Sequence, residues 1–569
     1  MADQPEPAGA QSGDHQQYPP PSTTLAIKSP GFNLGEVWLP GLILSLIFLL
    51  PLVGVVLGSV LAEGWAGWLD RSLELIRRGS TWRSLSFSLV QASISAIITL
   101  VLAMPGAYCL VKYRFFGRRI IQALGMASFV LPSLLIILGV ISFYGRAGVL
   151  NSLLGTQWSF VYSPVGIILA HVLFNLAIGI RLLARGWEEL DPRYIEASRS
   201  LGDSSFGRLV RLYLPFLTRR IISAFLIIFL YCFLSFSIIL LFGGVGFITL
   251  EVLIYREMYV NLNPAGAGFL VLLQLAVVGG VVGLIQYAGK NRDTRLSARA
   301  WNPTPLSTLP LGPKILWRIY WLVIGMIVIA PLVALVWRSF TPQGTWTLSG
   351  YIQLFTGQAS RGTGPSLNRV IRGTVGQAVR QSLVFAGATG AITSILGYLV
   401  AKKFAWTHRP WIDALFLLPL LVSGVTLSLG YTLIFDGWVV RELLIVLVQV
   451  SLAFPLVFRF YREAFRSFPK SYGEASQSLG ANRWFEFSQV EFPLLRGPMI
   501  QAFAFGAAIS LGDFTGAYTL GRGEVITIPV ALFRLIGFQH FGSALSLGVV
   551  YLLMTLALFL ILEIDRKPQ

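Results

Sequence analysis

The sequence predicts an all-α polytopic membrane protein with twelve transmembrane helices, arranged as two parallel repeats of six. Three observations support this fold class. Apolar residues make up 55% of the 569 residues and charged residues only 12%, which is unusual for a soluble chain of this length. Apolar stretches of roughly 20 residues, the length that crosses a bilayer, recur along the chain. Finally, one segment occurs twice at a fixed separation, which indicates a tandem duplication.

The repeated segment fixes the register between the two halves. Each copy has a Glu-Ala-Ser start, a Gly six residues after the Glu, and a Pro thirteen residues after the Gly. Corresponding residues are 278 positions apart. The copies contain Glu196, Ala197, Ser198, Gly202 and Pro215 in the first half, and Glu474, Ala475, Ser476, Gly480 and Pro493 in the second.

Each copy predicts a helix, a tight turn and a second helix. Asp191 followed by Pro192 favours a helix start. Gly202 and Gly480 stand where a helix ends in a left-handed residue, and Ser204 and Asn482 can cap the helix that follows. The two prolines are expected at the far end of that second helix. One copy alone is nearly as well explained by an ordinary connector, but two copies with one spacing indicate a shared role.

The remaining chain divides into four regions. Residues 1–35 are rich in Pro, Gln, Ser and Gly and predict a disordered cytoplasmic tail. The first repeat, 36–288, and the second, 315–569, are joined by a polar, basic cytoplasmic linker, 289–314. Spans are predicted near 39–62, 85–111, 121–144, 163–183, 221–242, 267–288, 315–337, 381–402, 411–435, 438–458, 498–518 and 542–563.

The distribution of Lys and Arg predicts the orientation. Loops after even-numbered spans, together with both termini, hold 29 of the 44 basic residues, against 14 in the loops after odd-numbered spans. Basic loops stay in the cytoplasm. Both termini and both repeated segments, within loops 184–220 and 459–497, are therefore expected there. The net charge of +18 then serves membrane insertion rather than nucleic-acid binding, since no basic groove with interleaved aromatics is present.

The sequence offers no site for catalysis, a cofactor or a metal. It has no phosphate-binding G-x-x-x-x-G-K-[ST] motif, so it is not expected to hydrolyse ATP by itself. The four histidines are scattered, and Cys109 and Cys232 lie in apolar runs without ligand spacing. A packed core position is the expectation for His171.

Asp513 is the outstanding charge within a predicted span, because ionisable groups in hydrocarbon are costly. Two interpretations stay open: it lines a transport path between the repeats, or the helix breaks near Gly512 and leaves the carboxylate at a polar gap. Its counterpart in the first repeat is Ser235, which departs from the pseudo-symmetry and is the second candidate path residue.

The repeated segment resembles the EAA motif of type I ABC importer permeases. The resemblance implies the MetI-like permease fold, with two parallel six-helix repeats around a transport path. It also implies that each EAA loop docks on one of two copies of a separate ATPase, and that Glu196, Ala197, Ser198 and Gly202, with their second-half counterparts, are the coupling positions. The expected location is the bacterial inner membrane, with a periplasmic or lipid-anchored solute-binding protein docking on the outer face.

Local segments are similar to thiamine importer permeases, and ferric-iron importer permeases are the runner-up. The similar segments are 248–255, Asn263-Pro264-Ala265 and Ser510–Phe514 with Thr527-Ile528-Pro529. Two alternatives come from other classes. An ion-gradient-driven secondary transporter would need intramembrane carboxylates, of which Asp513 is the obvious candidate. A membrane enzyme would need paired carboxylates, a nucleophile with its base, or metal ligands, none of which is apparent.

Overall fold

A computed structural model describes most of the chain. The N-terminal tail, residues 290–300 of the linker and large parts of the third and ninth predicted spans lie outside the described part. The described residues are 45–118, 121, 131–244, 246–289, 301–342, 344–357, 366–405, 416, 419, 422–435, 437–467 and 471–564.

The first repeat contains six helical spans in the predicted order. We number them 1 to 6 along the chain. Their bounds are Ser45–Leu49 continuing into Leu50–Arg77, Gly79–Lys112, Ser133–Tyr144, Pro164–Glu188, Leu214–Phe233 continuing after a break into Ser237–Phe242, and Pro264–Gly289.

The second repeat follows the same plan as spans 7 to 12. Their bounds are Leu311–Val328 with Ala330–Phe340, Val375–Phe404, Gly424–Phe435, Arg441–Ser467, Phe492–Gly512 with Thr515–Leu520, and Phe541–Ile564. Eleven helices of the described part are long and apolar enough to cross a membrane. Span 9 is not among them, because only its later residues, Gly424–Phe435, form a described helix. The all-α polytopic fold is confirmed.

Short elements lie between the spans. A loop helix precedes spans 5 and 11, and a linking helix follows each of them. The loop helices are Pro192–Ser200 and Ser471–Ser478, and the linking helices are Leu250–Tyr259 and Ile528–Gly537. Other short elements are helices Val149–Leu154, Ser205–Arg208, Leu209–Tyr213, Leu306–Thr308, Ser349–Thr356, Leu367–Ile371, Arg483–Phe485 and Glu486–Glu491, and a two-residue parallel strand pair, Tyr113–Arg114 with Thr304–Pro305.

The two repeats exchange their first spans. Span 1 packs on span 9 of the second repeat, and span 7 packs on span 3 of the first. Within each repeat the second span is central: span 2 packs on spans 4 and 5, and span 8 packs on spans 10 and 11. Small residues allow these close approaches, as where Gly179 faces Ala103 and Gly506 faces Thr393. The exchange ties the repeats into one core.

The linking helices are anchored identically in both repeats. The backbone N–H of Leu250 donates to Ser88 Oγ at 2.8 Å, and the N–H of Ile528 donates to Ser382 Oγ at 2.9 Å. Both serines are buried. The first N–H groups of a helix have no partner inside the helix, so a serine of the neighbouring span supplies one. This contact holds each linking helix against the second span of its own repeat.

Candidate functional site

Both loop helices end in the same backbone motif. Gly202 has φ +79° and Gly480 has φ +80°. The N–H of each glycine donates to the carbonyl three residues earlier at 3.0 Å. The N–H of the next residue donates to the Ser198 carbonyl in one loop and the Ser476 carbonyl in the other, at 3.1 Å in both. This pair of bonds is the Schellman ending, which favours glycine because a left-handed residue with a Cβ is strained.

The predicted helix caps are present. Asp191 Oδ1 accepts a hydrogen bond from the N–H of Arg193 at 2.9 Å and so starts the first loop helix. Ser204 Oγ accepts from the N–H of Gly207 at 3.0 Å, and Asn482 Oδ1 accepts from the N–H of Phe485 at 2.8 Å. The helix, turn and helix expected in each loop are therefore confirmed, and caps and turns hold their geometry.

The prediction that Pro215 and Pro493 end the second helix of each loop is wrong. The chain stays helical through Leu209–Tyr213 and Glu486–Glu491, both wide π-type turns, and runs on into spans 5 and 11. Each proline lies in the first turn after its π-type turn. A proline lacks the N–H that a regular turn would use there, and the wider turn accommodates that loss. Each loop is therefore joined to its span by continuous helix.

The coupling residues expected from sequence differ in exposure. Glu196, Ala197, Gly202, Ala475 and Gly480 are exposed, as are both prolines. Ser198 and Ser476 are buried, and Ser198 Oγ donates to Asp203 Oδ2 at 2.8 Å. Glu474 lies within its loop helix, and its side chain is outside the described part. The serines therefore hold the loop together, while the exposed residues form its surface.

Sequence reasoning did not single out the apolar side chains that the two loops expose. Leu201 is 86% exposed and Leu479 is 89% exposed, and each stands directly before the left-handed glycine. Three pairs, each 278 residues apart, share this exposure: Tyr194 with Tyr472, Leu201 with Leu479, and Phe206 with Trp484. Exposed apolar groups gathered in one patch mark contact surfaces. Conservation of apolar character at the repeat offset was the signal that predicted them.

Asp513 lies at a break between the two helices of span 11, and it is only 8% exposed. Its Oδ1 accepts from the N–H of Gly516 at 3.1 Å and its Oδ2 accepts from the side-chain amide of Gln449 at 3.2 Å. Gln449 Oε1 in turn accepts from Thr389 at 3.0 Å and from Ser510 at 2.6 Å. The carboxylate therefore sits at a polar gap and is also buried with donor partners, so both sequence-based interpretations describe part of its surroundings.

The first repeat has a neutral version of this polar cluster. Ser235 is half-buried at the matching break of span 5. His171, which occupies the position of Gln449, is 1% exposed, and its Nδ1 lies 3.4 Å from Ser95 Oγ. Asn175 donates its side-chain amide to the His171 carbonyl at 2.9 Å. His171 is thus a packed core residue, as expected, and the carboxylate is confined to the second repeat.

Comparison with known proteins agrees with this architecture. The family of binding-protein-dependent transport system inner membrane components matches residues 96–295 and again residues 389–565. Each match includes one loop helix and one linking helix. The family model thus recognises each repeat separately.

Individual relatives cover nearly the whole chain. The thiamine transport system permease protein ThiP of Escherichia coli is 27% identical over 544 residues, 90% of this chain and 94% of its own length. ThiP of Salmonella typhimurium is 28% identical and covers 85% and 88% of the two chains. A probable ABC transporter permease protein, y4fN, of Sinorhizobium fredii is 23% identical and covers 91% and 93%.

The family matches account for the features that composition and packing establish independently. They fall on the two halves of the duplication and on their membrane-spanning helices. They also coincide with the exchanged first-span packing that makes the halves one unit. The chain belongs to the binding-protein-dependent transport system inner membrane components and is a fused two-repeat permease of the ABC importer type.

Proposed function

We propose that this chain is the membrane subunit of an ABC importer and that its two loops each dock on one copy of a separate ATPase. The observation that carries the proposal is the matched pair of loops. Each presents an exposed Leu and an exposed aromatic residue beside a Schellman turn, and each continues as unbroken helix into the span that forms the interior. ATP-driven closure of the ATPases would draw the loops together and move spans 5 and 11 as levers.

The proposed orientation places both loops and both termini in the cytoplasm of a bacterial cell, with the permease in the inner membrane. The charge distribution supports this, since basic loops favour the cytoplasmic side. The linking helices are then on the outer side, where a solute-binding protein, periplasmic or lipid-anchored, delivers the solute. Exposed tryptophans suited to a membrane surface, Trp65 and Trp346, belong to the same outer side.

Thiamine is the proposed solute. The ThiP relatives, which cover about nine-tenths of the chain, support this choice over ferric iron. The interior also suits an organic molecule, because the interface of the repeats is lined by aromatic and amide side chains. Among the described residues there is no group of three or more His, Cys, Asp or Glu that would bind a metal.

The docking surface is tested by charging its apolar residues. Leu201→Asp and Leu479→Asp, separately and together, are expected to leave the permease in the membrane but to lower ATPase co-purification about tenfold in the double variant, because buried apolar residues carry most of an interface's energy. Leu153→Asp is the matched control, since Leu153 is 75% exposed in a loop between spans 3 and 4. Undiminished co-purification of ATPase with the double variant would contradict the proposal.

The solute is tested separately. The complex of permease, ATPase and candidate binding protein is reconstituted, and ATP hydrolysis is measured with thiamine or ferric iron. Stimulation by thiamine alone is the expected result. Stimulation by iron alone would transfer the proposal to an iron importer, and uptake that follows an ion gradient without any ATPase would place the chain among secondary transporters.

A further inference from the structure

Six aromatic rings meet where the two repeats touch. Phe236 and Phe514 occupy corresponding positions, 278 residues apart, at the breaks of spans 5 and 11. Their ring centroids are 6.0 Å apart and their planes differ by 21°, so the rings stack across the contact between repeats. The helix Leu214–Phe233 separates this contact from the loop by about 30 Å. The stacked pair therefore closes the interior near the end opposite the loops.

Rings from the linking helices flank this stacked pair in the same symmetric way. Tyr255 and Phe533 also correspond at 278 residues. Tyr255 lies 5.3 Å from Phe236, and Phe533 lies 5.1 Å from Phe514, centroid to centroid. Tyr518 joins the two sides, at 4.8 Å from Phe514 and 5.6 Å from Tyr255. Tyr259 completes the group at 5.4 Å from Tyr255.

Burial divides the six rings into a floor and walls. Phe236 and Phe514 are 3% and 2% exposed, and form the floor. The other four rings are half-buried. Part of each wall ring thus adjoins open space, where a planar molecule can stack without first disrupting the floor.

Two buried carboxylates lie next to the rings. Glu251 is 1% exposed and stands one helical turn before Tyr255, while Asp513 directly precedes Phe514. Each accepts a hydrogen bond from a glutamine side chain, Gln274 or Gln449. Within the described part of the chain, neither carboxylate forms an ion pair with Lys or Arg. Negative charge without a basic partner favours a cation in the neighbouring space.

We propose that these six rings form an aromatic gate that closes the transport path by ring stacking and selects a planar aromatic cation as it passes. The inference rests on the proposed function and extends it, because it assigns part of the solute selection to the permease. Ring faces attract cations and stack on planar rings, and the carboxylates add to that attraction. Thiamine has this chemistry, with a cationic thiazolium ring and an aminopyrimidine ring. The breaks of spans 5 and 11 beside the floor residues are the points at which the helices bend to open it.

The gate is tested by passive release from vesicles. The full complex is reconstituted without ATP in vesicles that contain radiolabelled thiamine or benzenesulfonate, a planar anion. The Phe236→Ala, Phe514→Ala double variant is expected to release thiamine about tenfold faster than the unmodified chain, because the stacked floor is lost. It is also expected to release thiamine about threefold or more faster than benzenesulfonate, because the remaining rings and carboxylates favour a cation.

Matched variants separate gate loss from general disruption. Phe454 stacks on Phe458 with centroids 6.0 Å apart and planes 18° apart, inside the second repeat and away from the gate. Phe454→Ala is expected to retain thiamine as the unmodified chain does, and Phe514→Tyr, which keeps the ring, is expected to do the same. Release from the double variant no faster than from Phe454→Ala, or equal release of cation and anion, would overturn the gate.

A parallel measurement keeps the two proposals distinguishable. ATP-driven thiamine uptake by the unmodified complex tests the solute alone. If that uptake is absent while the double variant shows selective release, the gate stands and the proposed solute fails. If uptake is present while release is unchanged by the double variant, the solute stands and the gate fails.

Discussion

The carbonyl oxygen of Pro51 in span 1 lies 2.0 Å from the position that a Cβ atom would take on Gly430 in span 9. The same contact occurs on the other side of the molecule, where the Pro331 carbonyl lies 3.1 Å from the corresponding position on Gly139 in span 3. Both glycines are the seventh residue of a twelve-residue helix. A proline frees no N–H and a glycine presents no side chain, so the two backbones meet directly. This matched pair is how each first span is held by the opposite repeat.

Replacing Gly430 is therefore expected to loosen the exchange of first spans. Gly430→Ala places a methyl group against backbone, which cannot move as a flexible side chain does, and the cost is about 1–3 kcal/mol. The expected result is a lower melting temperature of the purified permease in detergent. Gly139→Ala is expected to have a smaller effect, because its contact is looser. Gly279→Ala, which meets nothing within 4 Å, is the control. A Gly430→Ala variant that melts like the control would refute this account.

The Schellman glycines give a second prediction. Gly202→Asp or Gly480→Asp puts a side chain on a left-handed residue at a cost of about 1–2 kcal/mol, and displaces the exposed Leu beside it. Insertion into the membrane is expected to be normal, while co-purification of the ATPase and uptake decrease. Gly312→Asp, also in open space but with ordinary backbone, controls for the added charge. Normal ATPase binding and uptake in both loop variants would count against the coupling role.

The serines that anchor the linking helices give a third. Ser88→Ala and Ser382→Ala each leave a buried backbone N–H without its acceptor, which costs about 1–3 kcal/mol. Faster amide hydrogen exchange is expected in the linking helix of the altered repeat only, measured by mass spectrometry of the intact complex. Ser86→Ala removes an exposed hydroxyl that bonds within its own helix, and no change is expected there. Exchange that rises equally in both linking helices would show that the anchor is not local.

Local chemistry was readable from the sequence, and contacts between distant segments were not. The caps at Asp191, Ser204 and Asn482 and the left-handed glycines depend on residues a few positions apart, so the sequence predicts them directly. The contact between Gly430 and Pro51 joins segments nearly four hundred residues apart, and its repeat offsets differ from 278, so one register does not reveal it. Hydrophobic patterning predicts that a helix spans the membrane, but it does not specify which repeat that helix packs against.

The aromatic gate illustrates the same limit. Phe236 and Phe514 lie at the same offset as the loop residues, and either alone is an ordinary aromatic residue in an apolar run. Their meaning depends on the two breaks facing each other across the contact between repeats, which is a property of the assembled fold. In the loops the same offset predicts a surface because the residues there are exposed, whereas at the gate it predicts a contact.

Asp513 distinguishes the two classes of transporter. Asp513→Asn keeps an acceptor for the N–H of Gly516 but loses the bond from Gln449, at a cost of about 1 kcal/mol. Asp513→Leu leaves both donors without a partner and is expected to destabilise the permease by about 1–3 kcal/mol. In an ATP-driven importer the carboxylate carries no proton, so Asp513→Asn should keep most thiamine uptake and its dependence on the ATPase. In a proton-driven carrier the same change would abolish uptake, since the site of protonation is lost. Measuring uptake and melting temperature for both variants separates loss of folding from loss of a proton site: full stability with no transport in Asp513→Asn would support the carrier instead.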